Sequence, residues 1–268
     1  MSRKFLKKII TVLMLAAITA GLTGCSSTDA GGGLQKVLDS GVLVLGLDEN
    51  YPPMGYRNES GEITGFDIDV AREVCNRLGV KLETKPIDWD EKEKELNNGA
   101  VDCIWNGMSV NDEREEAMAL SRPYMKNELV FVVLGDSDFK SLDDLKGHSI
   151  GVQIGSTTVE AVVADPECAD MKIVLANDNK ELVEKLESGE IDAIAIDSLL
   201  AYYYINETGK DYYILSEVLE SEDIAIGFRK YDTDLRDKIQ EILDEMSEDG
   251  TLAEISTKWF GADVTTVK

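Results

Sequence analysis

The chain has 268 residues, a length that predicts two domains of roughly 100–150 residues each. It carries 52 acidic against 27 basic side chains, for a net charge of −25. Such a field repels phosphate and other anionic surfaces, which excludes nucleic acid as a partner.

In chain order, Arg3, Lys4, Lys7 and Lys8 precede an apolar stretch from Ile9 to about Leu22, followed by Leu22-Thr23-Gly24-Cys25. This stretch is short for a membrane span, which needs about 20 apolar residues. A positive start, an apolar middle and small residues at the end define a secretory signal, placed at residues 1–24. The ending resembles the lipobox of bacterial lipoproteins. That resemblance implies acylation of Cys25, which becomes the first residue of a chain held to the outside of the cell membrane by lipid alone. Loss of the leader removes four cations, so the mature chain is still more acidic. Residues 25–33 are Ser/Gly-rich and read as a flexible tether. No later segment is long and apolar enough to span a bilayer.

The next signals come in pairs. Ser40-Gly41 followed by Val42–Gly46 reads as a helix end, a glycine stop and an apolar strand, and Lys146-Gly147 through Val152 repeats the pattern. Glu93 to Ile104, with Gly99 and Asp102, matches Val183 to Ile194, with Gly189 and Asp192, at an offset of 90 residues. Each reads as an amphipathic helix, a glycine cap and a short buried strand. Strands and helices alternating in two similar halves predict two α/β lobes. Glu128–Leu134 and Ile224–Phe228 are β-rich runs, and helices are expected over Asp234–Met246 and Leu252–Trp259. Two extended crossings form a hinge, and a hinge implies a cleft. Lobe 1 is then 34–127 plus 226–268, and lobe 2 is 128–225, including the crossings.

Besides Cys25 there are Cys75, Cys103 and Cys168, an odd number that cannot pair fully within the exported chain. Their spacing fits no zinc pattern and His148 is the sole histidine, so neither a metal nor another cofactor is expected. Cys75 and Cys103 read as buried small hydrophobes, with a bridge between them as the alternative.

Gly65-Phe66-Asp67-Ile68-Asp69, followed by a helix over Val70–Leu78, resembles the signature of bacterial extracellular solute-binding proteins for polar amino acids, family 3. The likeness runs through Asp48–Pro53, Trp105–Arg114, Gly151–Thr158, Ile194–Asp197 and Gly250–Gly261. It implies a two-lobed periplasmic-binding-protein-like α/β fold with a two-strand hinge and the ligand between the lobes. Carried over by position, Arg114 with the Ser109 region would clamp the ligand's α-carboxylate, and Thr157 would donate to the same group. Asp197 and the Gly107 carbonyl would receive the α-ammonium. Tyr51 and Trp89 would stack on the side chain, with Asp48, Asn106, Gln153 and Thr158 around its tip. Asp67 and Asp69 read as shaping the fold.

The chemistry agrees. A guanidinium offers a planar fork to a carboxylate, a helix N-terminus adds amide donors, and a carboxylate is the natural partner of an ammonium in a dry cleft. Each residue also has a plainer reading. Arg114 stands among Asp112, Glu113, Glu115 and Glu116, where a solvated surface pair is the ordinary outcome. Asp197 ends an apolar strand and suits a capping role, and Trp89 and Tyr51 suit packing.

The expected role is therefore the binding lipoprotein of an ABC importer, a monomer serving a permease and its ATPase subunits, without catalysis. An amino-acid sensor, or a dehydratase-type enzyme on the same fold, is the alternative. With no lysine or arginine at the side-chain end, acidic ligands are disfavoured, while neutral polar amino acids, cystine and cationic amino acids stay open.

Overall fold

A computed structural model describes residues 32–207 and 210–268. The expected signal peptide, Cys25 and nearly all of the tether lie outside those residues. Helix α1 (Gly33–Ser40) begins on the last residue assigned to the tether and ends at Gly41, whose φ is +68°. Strand β1 (Val42–Leu47) follows at once. β2 (Asn50–Tyr51), β3 (Gly55–Arg57) and β4 (Ile63–Thr64) form a small antiparallel sheet. Helix α2 (Phe66–Leu78) starts four residues before the expected Val70. Asp67 and Asp69 sit in its first turn, where negative charge suits the helix dipole, and the Asp69 amide already donates to the Gly65 carbonyl at 3.0 Å.

β5 (Lys81–Pro86), a 3₁₀ turn at Trp89–Glu91, α3 (Lys92–Asn97), β6 (Cys103–Ser109), α4 (Asp112–Ala117) and β7 (Met118–Leu120) complete the N-terminal part of the first lobe. β8 (Met125–Leu134) crosses to the second lobe. There the helix expected before Gly147 is a single 3₁₀ turn, Leu142–Leu145, because Lys146 is already extended. β9 (Ser149–Gln153), α5 (Thr157–Ala164), β10 (Lys172–Ala176), α6 (Asn179–Ser188), β11 (Ala193–Asp197) and α7 (Ser198–Glu207) follow. β12 (Tyr212–Arg229) returns, and α8 (Thr233–Glu248) and α9 (Thr251–Phe260) close the first lobe.

The main sheet runs β10-β9-β11-β8-β12-β6-β1-β5, with β7 also on β12. Its ends are two parallel triplets, β5-β1-β6 and β10-β9-β11, with the first strand of each half in the middle. Between them β8 and β12 pair antiparallel. The repeated aspartates perform one task in both halves. Asp102 accepts from the Val44 amide at 3.1 Å and Asp192 from the Ser149 amide at 2.8 Å, each tying the loop before the third strand to the first.

Parallel strands buried on both faces need apolar residues on both. Leu43, Leu45 and Leu47 of β1 pack with α2 and α8, while Val44 packs on Leu96 and Ile104. In β11 Ala193 and Ala195 face one core and Ile194 and Ile196 the other. β12 changes register between Ile214 and Val218, between Val218 and Glu220, and between Ala225 and Gly227. Such irregularities bend a strand and let it serve two lobes. Cys75, Cys103 and Cys168 are free thiols in the core, so the Cys75–Cys103 bridge does not form.

Candidate functional site

Every predicted site residue except Arg114, which α4 holds inside the cleft, lies at or near the end of an element facing the junction of the lobes. In the first lobe Asp48 follows β1, Tyr51 ends β2, Trp89 opens the 3₁₀ turn, and Asn106, Gly107 and Ser109 occupy the end of β6. In the second, Gln153 ends β9, Thr157 and Thr158 open α5, and Asp197 ends β11. These eleven residues and Ser156 line one cavity.

Arg114 is 4% exposed, whereas Asp112, Glu113, Glu115 and Glu116 are exposed. Among the described residues it forms no ion pair, so the solvated surface pair does not occur. Asn111 caps α4 by accepting from the Arg114 amide at 2.9 Å, which turns the arginine inward. The guanidinium donates to the Ser109 carbonyl at 2.6 Å and, across the cleft, to the Gly155 carbonyl at 3.1 Å. Three of its five N–H donors are left for a ligand. Burial pulls its pKa down, and the nearby Glu222 charge is the largest opposing influence.

Facing it, Asp197 accepts a hydrogen bond from the Asn127 side chain. Desolvation, then repulsion from Glu222, pushes its pKa up to about 7. The Tyr51 hydroxyl is buried beside Asp197, and burial, then the Asp197 charge, raises its pKa. Gly107, at φ +57°, has no room for a side chain: a Cβ there would lie 2.6 Å from the Tyr51 ring. Its amide donates to Asp67 at 2.7 Å, and Asp67 also accepts from the Tyr124 hydroxyl at 3.0 Å, so that aspartate shapes the floor of the cleft.

At the other end, Asp48 accepts from the Gln153 amide at 2.7 Å across the lobes, and Asn106 accepts from the Asp48 backbone at 3.0 Å. Desolvation dominates here too, raising Asp48 to about 6. Gln153 is fixed further by Asn179, which donates to it at 2.9 Å. The lobes are closed on each other, and Asn50–Asp178 and Asn111–Glu160 bonds, each 3.1 Å, continue the seam outward.

Sequence reasoning missed Ser156, Lys92, Asn127 and Glu222. Ser156 lay inside a quoted motif. Lys92 looks like one charge in a solvated run, yet it is buried and donates to the Trp89 carbonyl at 3.2 Å and the Gly155 carbonyl at 3.0 Å. Desolvation lowers its pKa to about 8. Asn127 and Glu222 stand opposite each other on the crossing strands, in polar stretches that carry no motif.

The family model for bacterial extracellular solute-binding proteins, family 3, matches residues 43–262, from β1 through α9. The chain belongs to that family. The L-cystine-binding protein TcyJ of Escherichia coli K12 is 32% identical over 255 residues, 94% of this chain and 95% of that protein. The arginine-binding extracellular protein ArtP of Bacillus subtilis is 32% identical over 258 residues, 95% and 98% of the two chains. A solved ABC uptake transporter substrate binding protein from Streptococcus pneumoniae, with bound histidine, is 38% identical with a TM-score of 0.85, over 88% of this chain and 99% of its own. The family's two-lobed architecture is the one described above, with the cavity between the lobes.

Proposed function

We propose that this chain captures a polar amino acid between its lobes and delivers it to the permease of an ABC importer, tethered outside the membrane through Cys25. The observation that carries the reading is the pairing of opposite charges within one cavity. Arg114 and the first turn of α5 suit a carboxylate, and Asp197 with Tyr51 suits an ammonium. A zwitterion needs both, held a fixed distance apart. Names of relatives that specify cystine, arginine and histidine support the same class.

Lobe 1 is assigned to residues 34–127 with 226–268 and lobe 2 to 128–225. Closure about β8 and β12 would trap the ligand, and opening at the permease would release it. Asp48 at the side-chain end disfavours an acidic side chain and leaves neutral polar amino acids, cystine and cationic amino acids. No catalytic step is assigned, because the cleft carboxylates are used in binding. Mass spectrometry of ligand released from freshly purified, denatured protein tests the proposal, with a neutral or cationic amino acid as the expected result. A bound sugar, peptide or dicarboxylate would refute it.

A further inference from the structure

Glu222 is 7% exposed, lies on a crossing strand and is not among the residues that surround the cavity. Its carboxylate accepts from the Ser109 hydroxyl at 2.8 Å, from the Thr157 hydroxyl, and from the Asn127 side chain at 3.3 Å. These donors have three origins. Ser109 ends β6 of the first lobe, Thr157 opens α5 of the second, and Asn127 lies on the other crossing strand. The same Asn127 amide donates to Asp197, and the Glu222 charge bears on Arg114. One carboxylate rooted in the hinge thus touches both lobes from behind the cavity wall.

We infer that Glu222 is a clasp, a positioning residue that holds the lobes closed by accepting one hydroxyl from each. The inference rests on Ser109 and Thr157 belonging to the binding cleft. In the open form the two hydroxyls separate, and one carboxylate cannot reach both, so the bond to at least one lobe is broken. A buried charged acceptor that loses a donor is poorly satisfied, which makes the intermediate opening unfavourable and the closure closer to all-or-none. Because the clasp closes behind the ligand rather than on it, its influence falls on how long the lobes stay shut. It also fixes the two hydroxyls, leaving the backbone amides and Arg114 to meet the ligand. Glutamate suits the task because its two oxygens can take donors from opposite sides; glutamine keeps one acceptor oxygen, and alanine keeps none.

The test compares wild type, Glu222→Gln and Glu222→Ala. Small-angle scattering of the ligand-free proteins is expected to show a radius of gyration rising in that order. Stopped-flow tryptophan fluorescence with L-arginine, L-histidine and L-cystine is expected to show dissociation at least about tenfold faster in Glu222→Ala, the scale of one hydrogen bond to an ionised acceptor. Association should be unchanged or faster, a split that simple loss of folding does not produce, and Glu222→Gln should fall between. Unchanged radii with unchanged dissociation would overturn the clasp. Tighter binding by Glu222→Ala would also overturn it, showing that Glu222 competes with the ligand's carboxylate. Arg114→Ala serves as the control: if it binds normally, the amino-acid reading of the cleft fails, whatever Glu222 does. If none of the three amino acids binds, the scattering series alone decides.

Discussion

Replacing Arg114 with alanine removes the group proposed to meet the α-carboxylate of every ligand. The site is closed and Arg114 is almost fully buried, so the interaction belongs to the class in which truncating one charged partner costs about 2–5 kcal/mol. At about 1.4 kcal/mol per decade, that is roughly thirty-fold to a few thousand-fold in affinity. The loss should be similar for all ligands, because it concerns the part they share. Arg114→Lys should recover only part, since an ammonium lacks the planar fork. Folding should suffer as well: the buried Ser109 residue loses the Arg114 donor to its carbonyl, at about 1–3 kcal/mol for a group left unsatisfied, whereas Gly155 keeps Lys92 as a donor. Relief from burying a cation offsets part of this. The assay is calorimetric titration with the best ligand, alongside thermal melts of the empty proteins. An alanine variant that binds within threefold of wild type would refute the role of Arg114 in the site.

Acid should weaken binding. In the empty protein Asp197 has a pKa of about 7 and must be ionised to receive an ammonium, so affinity should fall about tenfold from pH 8 to pH 6, with proton release on binding at pH 6. Titrations in buffers of different ionisation enthalpy measure both, and equal affinity at the two pH values would contradict it. For folding the sign is opposite: Asp197 and Asp48 have folded pKa values above the ordinary 3.8, so the stability they contribute is full below pH 4 and is lost as pH rises towards 7. Asp48→Asn should improve glutamate relative to neutral ligands by on the order of tenfold in competition titrations, about 1.4 kcal/mol of relieved repulsion. If glutamate is already the best ligand of the wild type, that account of the side-chain end is wrong. Cys25→Ala should release the protein to the medium or leave an unprocessed precursor, read by fractionation and intact mass. A variant processed and membrane-bound like wild type would remove the lipid anchor from the proposal.

The two halves were legible because their logic is local. A glycine stop, an apolar strand and an aspartate three residues after a helix cap are short patterns, and Asp102 and Asp192 perform the same bond in each half. The cavity residues were legible because they cluster in motifs at strand and helix ends, which the fold brings together. What stayed hidden depends on distant pairing. The inward turn of Arg114 rests on the Asn111 cap and on Gly155 in the other lobe. Lys92 is buried and donates to the same carbonyl of the other lobe. Glu222 meets Ser109, Thr157 and Asn127 across 113, 65 and 95 residues of sequence, and no local pattern encodes that meeting. The start of α2 was misplaced for a smaller reason: Asp67 and Asp69 look like loop residues until their place in a first helical turn is known.

The most direct test of the central claim is isothermal titration of ligand-free protein, prepared by unfolding and refolding, against a panel of amino acids that includes cystine and ornithine. The account predicts one site per chain, with saturable binding of at least one neutral polar or cationic member and none tighter for glutamate or aspartate. Correctly refolded protein that binds no member of the panel, or that binds glutamate most tightly, would contradict it.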